Sequence, residues 1–321
     1  GGGTVGVTAA AAGAITVDEI IGLIYALKSP YRKNAKFLMN DATVALLRKL
    51  KDGNGAYLWQ PSVQAGEPDK LLGYDLYTSP YAPTVAAGAY ARVNNRMAAL
   101  CVTNGPGGTN ATTGVVGGYL DSVPMFVISG QVRYDTTARY MNQFADGLEF
   151  RAVGDQEYDI TKSVDNMCKY STMIEDPMQI RYALEKGYHL AMTGRRGPVW
   201  IDIPVDYQGC TIETDDLKGY DPKEDEKKLP VPVDEEVVKT VIEKIRNAKR
   251  PVLYAGNGIR LSEGHAEFYQ AAMKLNIPVV TCWDSIDAIE DENPLYTGRG
   301  GIMGDRPGNF AVQNADLVLA V

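Results

Sequence analysis

The stretch Val102-Thr103-Asn104-Gly105-Pro106-Gly107-Gly108-Thr109-Asn110 decides the fold. It follows a short apolar run, Ala98–Val102, and precedes a segment that we expect to be helical from about Thr109. A strand that enters a helix through a glycine-rich turn is typical of α/β proteins, and backbone N–H groups then point beyond the carboxyl edge of the sheet. The turn is not a P-loop, because no Gly-Lys-Ser/Thr sequence follows it. Its shape alone leaves two interpretations open, a tight turn that requires glycine and a ligand-binding loop.

Two further apolar runs predict buried strands of the same sheet. Residues 125–129 and residues 198–203 are both continuous and apolar, and helical segments separate the runs. This alternation predicts a parallel sheet that is covered on both faces. We therefore expect an α/β fold with the strands near Leu100, Val127 and Ile201 at the centre of its sheet.

A polar segment divides the chain. Residues 212–232 contain mainly Asp, Glu, Lys and Pro, which predicts an inter-domain linker. The strand Pro251–Ala255 and its neighbours predict a second α/β unit beyond it. A Gly256-Asn257-Gly258 turn follows that strand, but Leu261 stands where a dinucleotide fingerprint needs its third glycine. The incomplete motif favours a plain turn.

Composition excludes several classes of function. The 321 residues include 32 Lys and Arg against 40 Asp and Glu, so the net charge of −8 argues against nucleic acid and anionic membranes as partners. The apolar runs are shorter than the ~20 residues of a membrane span. The two histidines and scattered cysteines argue against a bound metal, and they predict reduced core thiols in a cytoplasmic protein. The cysteines are Cys101, Cys168, Cys210 and Cys282.

The polar residues that follow the apolar runs give no catalytic set by themselves. Gln156, Glu157 and Lys169 have the character of surface groups. His189 lies within a helical segment, where packing is a commoner role for histidine than general-base catalysis. His265 begins a later helix and is expected to be exposed. No Ser-His-Asp or Cys-His arrangement is assigned, because geometry rather than sequence identifies one.

Several motifs occur in order after the first apolar helix. They are Gly88-Ala89-Tyr90-Ala91-Arg92-Val93-Asn94, the glycine-rich turn, Asp121-Ser122-Val123-Pro124, Ile128-Ser129-Gly130-Gln131-Val132, Asp155-Gln156-Glu157-Tyr158-Asp159-Ile160 and Arg196-Gly197-Pro198-Val199-Trp200-Ile201-Asp202-Ile203-Pro204. With these motifs, residues 86–321 resemble thiamine-diphosphate-dependent enzymes, and the acetolactate synthase-like branch is closest. The first part is similar to the pyrimidine-binding domain of that family, and residues 251–258 and 304–310 are similar to the start of its central domain.

The resemblance implies a lyase or synthase that acts on a 2-oxo acid with thiamine diphosphate and Mg²⁺, as a homodimer or tetramer. It leaves the use of FAD open. It implies a catalytic role for Gln156, which would reach toward the reaction centre of the partner subunit. The residues that it implies for cofactor binding are Gly105, Pro106, Gly107, Asn110 and Gln131; it implies no metal ligand in this chain.

Residues 1–89 resemble part of a major capsid protein of tailed phages with the HK97-like fold. The motifs include Tyr31-Arg32-Lys33-Asn34-Ala35, Tyr57-Leu58-Trp59-Gln60-Pro61 and Leu71-Leu72-Gly73-Tyr74. Residues 83–89 fit either family, which predicts a composite chain. The alternative function is accordingly that of a capsid subunit or a capsid-fused structural protein.

The two resemblances predict the domain organisation. An α+β capsid-like segment (1–85) precedes the parallel-sheet pyrimidine-binding domain (86–211), the linker (212–232) and an incomplete α/β central domain (233–321). In the enzyme family a glutamate contacts the aminopyrimidine of the cofactor, and counting back along the match places Pro80 at that position. The resemblance also implies that the domain that binds diphosphate and Mg²⁺ lies beyond this sequence. We therefore expect a fragment at both ends, inactive as this chain.

Overall fold

A computed structural model describes residues 16–26, 29–32, 35–39, 41–51, 54, 56–57, 59, 70–78, 82–147, 149–228 and 233–321. The chain divides into two compact units, residues 1–228 and 229–321. The described strands are β1 (Phe37–Met39), β2 (Lys70–Leu71), β3 (Tyr74–Thr78), β4 (Ala98–Val102), β5 (Met125–Gln131), β6 (Ser171–Met173), β7 (Val199–Pro204), β8 (Pro251–Ala255), β9 (Val279–Thr281), β10 (Tyr296–Arg299) and β11 (Leu317–Ala320). The described helices are α1 (Val17–Ala26), α2 (Ser29–Arg32), α3 (Asp41–Arg48), α4 (Ala82–Asn94), α5 (Pro106–Leu120), α6 (Ala138–Met141), α7 (Ile160–Val164), α8 (Ile180–Met192), α9 (Val205–Gln208), α10 (Glu235–Asn247), α11 (Gly258–Leu261), α12 (His265–Leu275) and α13 (Arg306–Asn314).

The principal sheet of the first unit is parallel, with strand order β4-β5-β7-β6. One face packs against α4 and α5 through a core that includes Val115, Val127 and Trp200, none of which is exposed to solvent. The other face packs against α8 through a second core that includes Ala191 and Ile201. Apolar side chains on both sides of β5 and β7 explain the continuous apolar runs. The predicted α/β fold with parallel sheets is therefore confirmed.

The prediction that the strand near Leu100 lies at the centre of the sheet is wrong, because β4 is an edge strand. Leu100 is 7% exposed and faces the core, whereas Ala99 and Cys101 point to the other side and are exposed. Only alternate residues of β4 are covered, as is usual for a strand at the edge of a sheet. Ala99 and Cys101 are small enough to be tolerated both in a core and in contact with solvent. The apolar run therefore did not show that β4 lies at the edge of the sheet.

Two helix boundaries differ from the sequence-based expectation. Helix α5 begins at Pro106 rather than near Thr109, since proline is favoured at the first helical position, where no N–H is needed. The helix that the sequence predicts across residues 262–275 begins at His265 as α12, and a separate short helix, α11, precedes it. Glu263 has a φ of 62° between them, and this left-handed conformation cannot continue a right-handed helix.

The cysteines are free thiols, but they are not all core residues as predicted. Cys168 is buried, and burial raises the pKa of its thiol to about 12, so it stays protonated at neutral pH. Cys101 and Cys210 are exposed instead. The exposure of Cys101 is in line with the edge position of β4, and the sequence did not indicate that position.

The first part of the first unit has a small core of its own. Strand β1 pairs parallel with β3, and β2 pairs antiparallel with β3. Ile20, Leu47 and Leu71 form the buried cluster of this part, which contains both helices and strands. Its mixed content is in line with the α+β class expected for the capsid-like segment.

The second unit is a separate parallel sheet with strand order β10-β9-β8-β11. Its core includes Leu253, Phe268 and Val279, each buried. Strand β10 and helix α13 were not predicted, because the glycine-rich sequence around residues 298–304 carries no apolar period. No helix of the described residues is long and apolar enough to cross a membrane.

Part of the expected linker packs against the first unit. Tyr220 makes ring contacts with Tyr182 and His189 on α8. The carboxylate of Asp225, a residue only 6% exposed, accepts a hydrogen bond from the Tyr220 hydroxyl and pairs with Lys186 at 3.2 Å. Residues 212–228 therefore form a docked strap rather than an unpacked chain, and the first compact unit ends at Lys228. The domain limits themselves stay a prediction.

Candidate functional site

The glycine-rich turn lies at the carboxyl end of β4 and leads directly into α5. Gly105 has a φ of 52°, and a Cβ atom at this position would overlap the carbonyl oxygen of Gln156. Glycine is thus required by both the backbone conformation and the close approach of another segment. The structure brings together Gly105 and Gln156, two residues that are 51 positions apart in the sequence.

Residues 153–159, which we call the Gln156 loop, close over this turn. Gln156 is exposed and adopts a left-handed conformation with a φ of 57°. The next residue fixes the loop, because the Glu157 carboxylate accepts hydrogen bonds from the backbone N–H groups of Ala138 at 2.7 Å and Val153 at 2.6 Å. Glu157 is 7% exposed, so its expected surface character is wrong. It anchors the loop and leaves the Gln156 side chain free to point outward into solvent.

Gln131 lies below the loop, at the end of β5, and is 4% exposed. Its Nε2 donates to the carbonyl oxygen of Tyr158 at 3.0 Å and to Oδ2 of Asp202 at 2.9 Å. Its Oε1 accepts from the N–H of Val132 at 3.0 Å. All the polar atoms of the side chain are therefore engaged within the protein. A cofactor-binding role for Gln131 stays a prediction, and the geometry gives the residue a supporting position.

The centre of the buried network is Asp202, which sequence reasoning did not single out. It has no exposed surface, and its Oδ1 accepts a hydrogen bond of 2.5 Å from Ser129, whose oxygen accepts from the indole N–H of Trp200. Burial raises the pKa of Asp202 to about 6, although the hydrogen bonds from Ser129 and Gln131 oppose this shift. The sequence offered one signal for this residue, since Asp202 is the single carboxylate within the otherwise apolar run of β7.

The remaining predicted site residues lie on the first turns of α5. Pro106 is exposed and Asn110 is half-buried, one helical turn apart. Gly107 packs so closely on Thr103 that a side chain would overlap it. Gly105, Pro106, Gly107 and Asn110 are thus neighbours, and Gln156 joins them through the loop.

Lys169 and the histidines lie elsewhere. The Lys169 ammonium donates to the carbonyl oxygen of Thr193 at 2.7 Å, and its stem packs on Gly197. His189 is half-buried against the strap, in line with a packing role. His265 is exposed as predicted, although its Nε2 lies 3.0 Å from the carbonyl oxygen of Ala288.

The donor set suits only part of the implied cofactor. Asn110 and Gln156 present neutral amides beside backbone groups, and such groups match the hydrogen-bonding edge of an aminopyrimidine ring. A diphosphate requires cations or a bound Mg²⁺. Among the described residues, no group of three or more His, Cys, Asp or Glu side chains could hold a metal ion. Pro80 lies outside the described residues.

Comparison with known proteins divides the chain in the same way. Residues 81–150 match the N-terminal TPP-binding domain of thiamine pyrophosphate enzymes, and residues 238–321 match the central domain of those enzymes. Residues 1–95 match the phage capsid family. All three matches were expected from the motifs, and the two families overlap in residues 81–95, which include α4.

Curated relatives resemble the enzyme-like part. The acetolactate synthase large subunit of Corynebacterium glutamicum is 34% identical over 241 residues, which are 74% of this chain and 35% of that relative. The large subunit of Cyanidium caldarium is 31% identical over 79% of this chain and 42% of its own length. The acetolactate synthase of Arthrospira platensis is 32% identical over 74% of this chain and 39% of its length. The chain thus spans about two fifths of the relatives it matches.

Proposed function

Residues 81–150 and 238–321 carry two domains of the thiamine pyrophosphate-dependent enzymes, and we propose that this chain is part of an acetolactate synthase-type enzyme that acts on a 2-oxo acid. One observation carries the proposal. The Gln156 loop closes over the glycine-rich turn at the carboxyl edge of a parallel sheet, where α/β proteins place their ligands. The site therefore corresponds to the aminopyrimidine half of a cofactor pocket.

The residues of this half-pocket bind and orient rather than transfer protons. The turn supplies backbone groups and the rigid ring of Pro106, and the amides of Asn110 and Gln156 supply hydrogen bonds to a neutral heteroaromatic ring. When bound, thiamine diphosphate supplies the electron sink for decarboxylation of a 2-oxo acid. A proline at position 80 has no carboxylate, so it cannot hold or move a proton at the ring.

The wider properties of such an enzyme belong to the same proposal. We expect Mg²⁺ to be required by the complete site and assembly to be a homodimer or tetramer. Free cysteines favour a reducing compartment such as the cytoplasm. The match of residues 1–95 to the phage capsid family supports the alternative of a capsid-fused protein, in which the small core around Ile20 belongs to an assembly module.

Ligand binding by the full chain tests the half-pocket. We expect 4-amino-5-hydroxymethyl-2-methylpyrimidine to bind with a Kd of about 1 mM, roughly 4 kcal/mol, in ligand-detected NMR. Thiamine diphosphate with Mg²⁺ should bind no more tightly, because the described residues include no cluster of ligands that could hold the Mg²⁺ of the diphosphate. Gly105→Ala should abolish binding, since its Cβ displaces the Gln156 loop. Gly117→Ala is the matched control in the helix that follows, α5, where a Cβ meets no neighbour.

Two results would contradict the proposal. Micromolar binding of thiamine diphosphate would show that the pocket is complete in this chain, and unchanged aminopyrimidine binding by Gly105→Ala would remove the ligand from this turn. We also expect no thiamine-dependent turnover of a 2-oxo acid, with or without Pro80→Glu. Restoring a carboxylate at position 80 cannot restore turnover if the cofactor does not bind. General acid–base catalysis of this kind is typically worth ~10²–10⁴ in rate, but only in an enzyme that holds its cofactor.

A further inference from the structure

A buried chain of hydrogen bonds joins the core of the first unit to the Gln156 loop. It runs from the indole N–H of Trp200 to Ser129, from Ser129 to Asp202, and from Asp202 through Gln131 to the carbonyl oxygen of Tyr158. The last two distances are 2.9 and 3.0 Å. Tyr158 is two residues from Gln156, so the chain ends within the loop that carries the proposed catalytic residue.

The buried carboxylate has a cost that apolar packing would avoid. Asp202 has no exposed surface, lies in the middle of β7 and forms no ion pair among the described residues. Burial of a charge without a counter-ion is unfavourable unless hydrogen bonds replace its water. Ser129 and Gln131 supply those bonds, and both are themselves buried. An apolar residue could fill the core here, but it could not hold the Gln131 amide.

We propose that Asp202 is a positioning residue that acts through Gln131 to hold the Gln156 loop over the glycine-rich turn. The proposed function explains why the loop has to be held in place, and in that respect the inference rests on it. The contacts that hold the loop do not depend on a cofactor. Gln131 accepts the N–H of Val132 through Oε1, so its Nε2 is directed toward both Asp202 and Tyr158. Asp202 fixes the amide orientation, and the amide fixes the loop.

Other charged groups near Asp202 do not replace this link. Asp159 and Arg139 influence Asp202 electrostatically, but they form their own ion pair, with Nη2 2.9 Å from Oδ2, and Lys162 extends it at 3.5 Å. The pKa of Asp159 is lowered and that of Arg139 is raised, so both remain charged near neutral pH. Glu157 is bonded to backbone N–H groups of the loop and of α6.

Hydrogen exchange of the full chain without cofactor tests the positioning. Gln131→Met preserves the length of the side chain and removes both donated bonds, so amides of residues 154–158 should exchange at least tenfold faster. Exchange in α8 should change less than twofold. Gln270→Met, an exposed position in the second unit, is the matched control and should leave the loop unchanged. Loop exchange within twofold of wild type in Gln131→Met would overturn the proposal.

Asp202→Asn separates positioning from a merely structural role. Asparagine keeps an oxygen that accepts from Gln131, so loop protection should stay within threefold of the wild type. In the wild type, the loop-opening constant should rise several-fold from pH 5 to 7 after correction for intrinsic exchange, because opening exposes the carboxylate to water. That rise should be absent in Asp202→Asn. The variant retains Glu157, the buried carboxylate of the loop itself, so a difference between the two proteins is due to Asp202. An equal rise in both proteins would overturn the role of Asp202, whatever the outcome of the aminopyrimidine titration.

Discussion

The carboxyl group of Asp202 makes the stability of the first unit depend on pH. Its pKa is raised to about 6 by burial, against about 3.9 in an unfolded chain. The folded state therefore binds the proton more tightly than the unfolded state does. The stabilising effect is complete below about pH 4 and is lost as the pH rises through 6. The shift corresponds to about 3 kcal/mol.

We predict that Asp202→Asn changes this dependence. Relative to wild type, the variant should gain up to about 3 kcal/mol in the free energy of unfolding between pH 4 and pH 7.5, because it has no charge to bury. Urea unfolding can be followed through Trp200 in a background of Trp59→Phe and Trp283→Phe. Asp135→Asn is the contrasting control, since Arg133 lowers the pKa of that exposed carboxyl and the dependence has the opposite sign. A constant difference between wild type and Asp202→Asn would contradict the prediction.

The sequence motifs predicted the exposed residues of the candidate site more readily than the buried residues that support it. Pro106 and Gln156 belong to motifs, and the motifs predicted them without any knowledge of distances. Asp202 and Glu157 were missed because a sequence does not state which carboxylates are buried. Their environment is made by β5, α6 and the loop, which come from separate parts of the chain.

Among the elements, the strap of residues 212–228 shows how a polar sequence can still pack. Lys186 on α8 lies near the rings of Tyr170, Tyr182 and Tyr220, at 5.5–5.6 Å from each ring centroid. Its ammonium also pairs with Asp225. A cation among aromatic faces with a buried carboxylate beside it stabilises the docked strap. The strap was interpreted as an unpacked linker because its two anchoring residues are separated by charged, exposed ones.

We predict that Lys186→Met releases the strap. The change removes a cation that pairs with the buried carboxylate of Asp225, and a buried charge that loses an ion-pair partner is unfavourable, so the carboxylate should move toward water. Cleavage within residues 217–226 by a glutamate-specific protease should become at least tenfold faster, while α8 remains resistant. Lys239→Met on α10, which breaks an exposed pair with Glu236, serves as the matched control. Equal cleavage rates in wild type and Lys186→Met would contradict the anchoring role.

The predictability of elements follows their burial. Strands β5 and β7 are covered on both faces, so their apolar runs identify them directly. Strand β6 has only three residues, and two of them are polar, so it has no recognisable pattern. The edge position of β4 depends on the spatial order of the strands in the sheet, and a local run of residues does not specify that order.

For the whole molecule, two sheets with separate cores imply two cooperative units. The core of the first unit includes Val127, and that of the second includes Val279; both are fully buried. We predict that Val279→Ala destabilises the second unit by about 2 kcal/mol and leaves the first unchanged, and that Val127→Ala does the reverse. Calorimetry combined with the Trp200 signal can assign each transition. A parallel shift of both transitions by either substitution would show that the chain unfolds as one unit.

Helix α4 connects the two resemblances, since residues 81–95 match both the phage capsid family and the thiamine pyrophosphate enzymes. Its buried residues include Thr84, Ala87, Gly88 and Ala91. Small side chains need few matching cavities on the surface against which they pack. The same helix can therefore pack closely against unrelated neighbours. An in-frame exchange of coding sequence within this helix would leave each flanking domain with an acceptable packing partner. Alanine-rich helices of this kind are therefore natural splice points for grafting one protein onto another.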